Sequence, residues 1–387
     1  MRGPARLLAL LAVAAATGVA AAADRFVPAD PAFVVANVRQ SQPDERLRGL
    51  LLAWRANPAN AESVALASAY IERARDTREP AFFGRAEAVL APLASSPEAS
   101  GPLRRLYAQV LQYRHDFADA ESLLDSLLRE NPHDPDARLL RASVRLVRGE
   151  FSGARADCAQ LAVGTGSGAI LGFACLAEAL AGQGNLAGAL ALLNSASAQR
   201  VQADALTHAY LLTTRAELRE RSSDPGGAIL DYGEAVKLAP HDDSIRAALA
   251  DALAARGDDG DARELLAVDK PSLALLVRSA ALSEGAQHAS LTARAVAWLA
   301  LEAARGDAIH HREEAMLALA NANPARALAA ATRNFEQQRE LPDVRVLARA
   351  AQAARDAKAL EALRQWMRET GYRDSVTETI LGDGTSS

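Results

Sequence analysis

One alanine recurs through this chain at intervals near 34 residues, and that recurrence limits the fold more than any motif does. The alanines are Ala86, Ala120, Ala154, Ala189, Ala228, Ala262, Ala293, Ala327 and Ala362, separated by 34, 34, 35, 39, 34, 31, 34 and 35 residues. A fixed period of this size marks an array of small units that stack on one another. Twelve positions before each alanine from Ala120 onward stands a second one: Ala108, Ala142, Ala177, Ala216, Ala250, Ala281, Ala315 and Ala350. Nearly a quarter of the chain is alanine, so chance alone fills about two of those eight slots. The register therefore rests on more than composition.

The unit of the array is helical. Alanine is the strongest helix former, and the chain is 50% hydrophobic but only 4% aromatic, so strand-favouring residues are scarce. Leu123, Leu124, Leu127 and Leu128 fall at helical spacing. Gly149, Gly184, Gly257 and the pair Asn131-Pro132 punctuate the chain as turns, and Asp261 to Glu264 has the form of a capping box. A helix pair with one apolar face cannot bury it alone, so neighbours stack into a continuous core. The fold class expected is all-α, a helical-hairpin repeat solenoid.

The best copies run from His115 to Ala120 with Leu124, Leu127 and Pro132, and from Gly149 to Ala154 with Cys158 and Leu161. Others run from Gly184 to Ala189 with Leu193, from Asp224 to Ala228 with Tyr232, Ala235 and Pro240, and from Gly257 to Ala262 with Leu266. In the last copy Trp366 fills the aromatic slot. Over roughly Glu62 to Thr370 this pattern resembles the tetratricopeptide repeat, a helix–turn–helix unit of about 34 residues. The resemblance implies a right-handed superhelix whose concave face, lined by the first helix of each pair, binds another protein or peptide. Projecting the repeat frame puts Arg105, Gln109, Gln112, Tyr113, Ser143, Glu178, Tyr210, Thr213, Glu217 and Asp251 towards that face. The Lys and Asn set with which some family members clamp a C-terminal carboxylate is missing, so that function does not carry over. The opening stretch is also similar to that of secreted bacterial repeat proteins without a known activity.

The flanks divide the rest. Residues 1–23 read as a secretory signal: Arg2 and Arg6, an apolar run from Leu7 to Ala16, and small residues Ala21 to Ala23 before Asp24. Its core is too short for a membrane span, and no later segment is apolar enough for one. The expected location is therefore the periplasm or the medium of a bacterium. Residues 24–43 read as an extended arm, 44–61 as a capping helix and linker, 62–370 as the array, and 371–387 as a C-terminal tail.

Composition and motifs narrow the chemistry. Forty of the 43 basic residues are Arg, scattered among Asp and Glu at a formal net charge of −5, so there is no basic stripe for nucleic acid. No phosphate loop, zinc-protease helix or nucleophile elbow occurs. The Gly164–Gly168 run reads as a connector, the His310–Glu314 cluster as a charged helix start, and Asp258, Asp259 and Asp261 as a capped turn rather than a calcium loop. No catalytic residue, metal ligand or cofactor is expected. Cys158 and Cys175, the only cysteines, fall on adjacent elements of the array and are either a disulfide or two small buried hydrophobes. The favoured function is a non-enzymatic periplasmic scaffold or adaptor binding another protein. The alternative is an accessory subunit of an envelope enzyme or maturation complex.

Overall fold

The computed structural model describes residues 44–77, 79, 81–163, 166–198, 204–305 and 310–383. The signal sequence and arm expected at 1–43 lie outside these residues, as do 384–387. Among the described residues there are twenty helices and no strand. They are α1 (Glu45–Ala56), α2 (Asn60–Thr77), α3 (Ala81–Ala94), α4 (Gly101–Tyr113), α5 (Phe117–Glu130), α6 (Pro135–Val147) and α7 (Phe151–Ala162). Next come α8 (Gly166–Gly182), α9 (Leu186–Ala198), α10 (Ala205–Arg221), α11 (Pro225–Leu238), α12 (Asp243–Arg256), α13 (Asp259–Leu266) and α14 (Leu273–Ala281). The last six are α15 (Gly285–Arg305), α16 (His311–Ala320), α17 (Pro324–Gln337), α18 (Leu341–Ala353), α19 (Ala357–Thr370) and α20 (Ser375–Asp383). The fold is a helical-hairpin repeat solenoid.

Local chemistry starts and stops the helices where the repeat needs them. Asp134 caps α6 by accepting from the Asp136 and Ala137 amides, with Pro135 in the first turn, and Asp242 does the same for α12 with Ser244 and Ile245. The turn inside each pair demands one left-handed residue. Gly149, Gly184 and Gly257 supply it at φ 73°, 85° and 91°, while His115, Ser223, Ala322 and Arg355 take the same conformation without glycine's freedom. The capping box expected at Asp261 is absent: α13 already starts at Asp259, with Asp258 at its N-cap.

The alanine frame holds through most of the array. Ala108, Ala142, Ala177, Ala216, Ala315 and Ala350 are fully buried and Ala250 almost so, as are Ala86, Ala120, Ala154, Ala189, Ala228, Ala262 and Ala327. It fails in two places. Ala281 and Ala293 are exposed, and Ala280 and Ala295 stand in their place, because α15 is a 21-residue helix that breaks the period. Ala362 is exposed too, and Leu360 and Leu363 face the core instead, while Trp366 is only half-buried.

Consecutive first helices pack on each other, α4 on α6, α6 on α8, α8 on α10, α12 on α14, α14 on α16 and α16 on α18. The second helices α5, α7, α9 and α11 do not come as close to one another. The first helices therefore form the inner, shorter side of the curve.

Residues 371–383 pack onto the array. Tyr372, Asp374, Thr377 and Leu381 are buried, and α20 packs on α18 and α10. Here the array folds back on itself. The Arg339 amide donates to the Val147 carbonyl at 2.7 Å and its guanidinium to the Arg148 carbonyl at 2.9 Å. The Gln338 amide meets His115 at 3.0 Å, Arg221 donates to the Arg373 carbonyl at 2.8 Å, and Arg345 bridges Glu220 and Asp374 at 3.0 and 2.9 Å. Gly184 comes so close to the Gly371 carbonyl that a Cβ there would collide with its oxygen. A row of turns at the ends of α4, α6, α8 and α10 thus receives the segments before α18 and before α20.

Candidate functional site

Five of the ten expected inner-face residues converge. Ser143 of α6, Glu178 of α8, and Tyr210, Thr213 and Glu217 of α10 line one recess of about 160 Å³, together with Leu146, Val147, Thr214 and Glu340. The first helices bring their side chains to one hollow because each begins and ends in the same frame. Glu340, the N-cap of α18, arrives only through the fold-back.

The recess is acidic and mostly internally bonded. Glu178 accepts hydrogen bonds from the Tyr210 and Thr214 hydroxyls, both at 2.8 Å. Burial pushes its carboxyl up to about 7, with those two hydroxyls pulling the other way. Burial also pushes the Tyr210 hydroxyl well above its ordinary range, helped by the Glu178 charge. Glu340 accepts from the Arg312 guanidinium at 2.7 Å. Glu217 differs: among the described residues it accepts no hydrogen bond and joins no ion pair. It keeps some contact with solvent through the recess, yet burial, followed by the charges of Glu178, Glu340 and Glu220, pushes its carboxyl up to about 8.

The other five expected residues lie outside the recess. On α4, Arg105 pairs with Asp134 at 3.0 Å, Gln112 donates to the Ser143 hydroxyl at 3.0 Å, and Tyr113 stacks on Phe83 with ring centres 3.6 Å apart. Gln109 is half-buried on the same helix. Asp251 on α12 is held by Arg278 at 2.6 Å, outside the recess. Thr214, Leu146 and Val147 were within reach of the repeat frame, since they neighbour residues it selected. No signal in the sequence brings Glu340 to Glu178.

Cys158 on α7 and Cys175 on α8 are joined by a disulfide, with Cα atoms 5.5 Å apart. Ala142 packs against both. His310, His311 and Arg312 are taken up by Glu302, Glu314 and Asp343, and no group that could hold a metal ion occurs among the described residues. No helix among them is long and apolar enough to cross a membrane.

The tetratricopeptide repeat family model matches residues 107–170 and 213–270. These two stretches, about a third of the chain, are similar to the tetratricopeptide repeat. They comprise the α4–α7 pairs with the start of α8, and the later part of α10 through α13, so they supply Ser143, Thr213 and Glu217 to the recess. Tetratricopeptide repeats generally mediate contacts between proteins.

Three solved structures are similar to the chain. A thermophilic tetratricopeptide protein of Thermus thermophilus is 22% identical, covering 51% of this chain and 98% of its own at a TM-score of 0.39. A tetratricopeptide repeat protein from Parabacteroides merdae is 11% identical, covering 84% and 99% at a TM-score of 0.39. A chain of the Cut9–Hcn1 hetero-tetramer of APC/C is 14% identical, covering 78% and 59% at a TM-score of 0.46. A comparison with curated proteins finds no match.

Proposed function

We propose that this chain is a non-enzymatic scaffold or adaptor of the bacterial periplasm that binds another protein through the inner face of its helical array. The observation that carries this reading is the recess itself. Three first helices, α6, α8 and α10, and the N-cap residue of α18 point side chains into one hollow that the fold-back leaves unfilled. A hollow on the inner side of stacked repeats, with polar groups on an apolar wall, suits a protruding side chain of a partner. The periplasmic part of the reading rests on residues 1–23. Capture from periplasmic extract, with the chain carrying a photo-crosslinker at Thr213 and separately at the outer-face residue Glu234, tests the binding. A partner joined only through Thr213 is the expected result; equal joining at both positions removes the inner face from the reading.

A further inference from the structure

We propose that the recess between α6, α8 and α10 is a socket for one cationic side chain, an arginine or a lysine, presented by an extended segment of the partner protein. This inference rests on the inner-face reading above and adds the chemistry of what enters. Its walls are chemically divided. Leu146 and Val147 offer an apolar side along which an alkyl stem can lie, as long cationic side chains do. Ser143 and Thr213 add hydroxyl oxygens, and carboxylates stand at Glu178, Glu217 and Glu340. The volume of about 160 Å³ is several times the share of one water, about 30 Å³, and suits the head of one side chain rather than a folded element.

Glu217 is what points to a ligand. The protein encloses Arg and Asp pairs elsewhere with care: Asp157 receives Arg138, Arg141 and Arg145, and Asp231 receives Arg215 and Arg219. Glu217 has no such partner. The groups that face it are mainly negative or neutral: Glu178 from α8, Tyr210 and Glu220 from its own helix, Tyr232 from α11, Glu340 at the N-cap of α18, and Tyr372 before α20. The nearby cations are already committed. Arg221 donates to the Ala181 and Arg373 carbonyls, Arg345 to Glu220 and Asp374, and Arg312 to Asp343 and Glu340. A cation that enters therefore finds one carboxylate free and a second, Glu178, held only by hydroxyls.

Entry has a proton balance. With its carboxyl up at about 8, Glu217 is largely protonated at neutral pH. A guanidinium or ammonium beside it favours the carboxylate, so the Glu217 proton leaves to solvent as the ion pair forms. Affinity then rises with pH from about 6 to about 9, and binding releases a proton.

Isothermal titration of the full chain with a capped Ala-Ala-Arg-Ala-Ala peptide, in two buffers of different ionisation enthalpy, reads both effects. The expected result is binding that strengthens with pH, releases a proton, and weakens about ten-fold or more when neutral citrulline replaces the arginine. Glu217→Gln is expected to weaken the arginine peptide about as much, while leaving the citrulline peptide unchanged. Its fold is checked by thermal melting at pH 9, where removal of a carboxylate that resists ionisation leaves the melting temperature at or above that of the wild type. Equal binding of the two peptides, or no binding of the arginine peptide at millimolar concentration, overturns the socket. Equal affinity for butylguanidinium and the peptide overturns the presentation by a peptide segment. Partner capture through Thr213 that Glu217→Gln does not weaken overturns the socket but leaves the scaffold reading standing. Absence of any captured partner beside arginine-peptide binding strikes the scaffold reading instead.

Discussion

At the scale of single residues, burial separates alanines that look alike in the sequence. Ala142 and Ala250 sit where two helices meet, with 0% and 1% exposure, while Ala118 faces solvent in the first turn of α5. A leucine at either buried site forces overpacking and is expected to cost about 1–3 kcal/mol, whereas Ala118→Leu costs less than about 0.5 kcal/mol. Denaturant titrations of the three variants check this, and equal midpoints would contradict the register. Asp157 makes the opposite kind of demand. Three guanidiniums of α6 converge on its carboxylate, which is 3% exposed. Asp157→Ala leaves Arg138 without a carboxylate, while Arg141 keeps Asp125 and Arg145 keeps Glu121, so the expected cost is about 3 kcal/mol, the lower end for a broken buried pair. The same measurement shows whether the loss exceeds that of Glu234→Ala, an exposed partner of Lys237.

At the scale of elements, the α7–α8 connection is the most tightly tied in the array. The disulfide spans 17 residues, and a Cβ at Gly172 would lie 2.5 Å from the Ala162 amide nitrogen, so the two helices approach at backbone contact. A loop of that length corresponds to a stabilisation of about 3 kcal/mol in the chain-entropy account. Alkylation of the unreduced protein is expected to modify no thiol. Cys158→Ala with Cys175→Ala is expected to lower the unfolding free energy by up to that amount, through loss of α7–α8 first. Hydrogen exchange resolved along the chain distinguishes that local opening from a uniform loss.

At the scale of the whole array, stability depends on the fold-back. Arg345 joins Glu220 of α10 to Asp374 before α20 through two ion pairs. Arg345→Met is expected to free α20 from α10, seen as faster amide exchange at residues 371–383. The carboxyls around it set a pH dependence with two signs. Glu178 and Glu217 have folded values raised from 4.5 to about 7 and about 8, so the folded chain binds more protons than the unfolded one in that window. Their contribution is complete below pH 4.5 and is lost as pH rises through 7 and 8. Asp374 has a folded value held below 3.8, with Arg345 and Thr377 opposing the effect of its burial. Its contribution is present above pH 3.8 and lost as pH falls further. The melting temperature is therefore expected to decline from pH 6 to pH 9, and Glu217→Gln to flatten that decline.

The repeat was legible in the sequence because it is built from local rules. Alanine at the close-packing slot, aspartate before the helix and glycine after it act within one turn of the chain, so they appear wherever the unit appears. The frame misses at Ala281 and Ala293 because alanine is so common there that a neighbour one or two positions off satisfies the same pattern, and at Ala362 because Leu360 and Leu363 take the core side of α19. Half of the expected inner-face residues share a recess, since the frame that selects Ser143, Glu178, Tyr210, Thr213 and Glu217 also orients them. The fold-back was not legible. Arg345 meets Glu220 across 125 residues, and Gln338 meets His115 across 223, through contacts that have no period and that any exposed Arg, Glu or Gln can make. Local sequence thus determined the unit and its stacking, whereas the return of α18 and α20 onto the turns of α4 to α10, which closes the recess with Glu340, was decided only by the accumulated curvature of the stacked pairs.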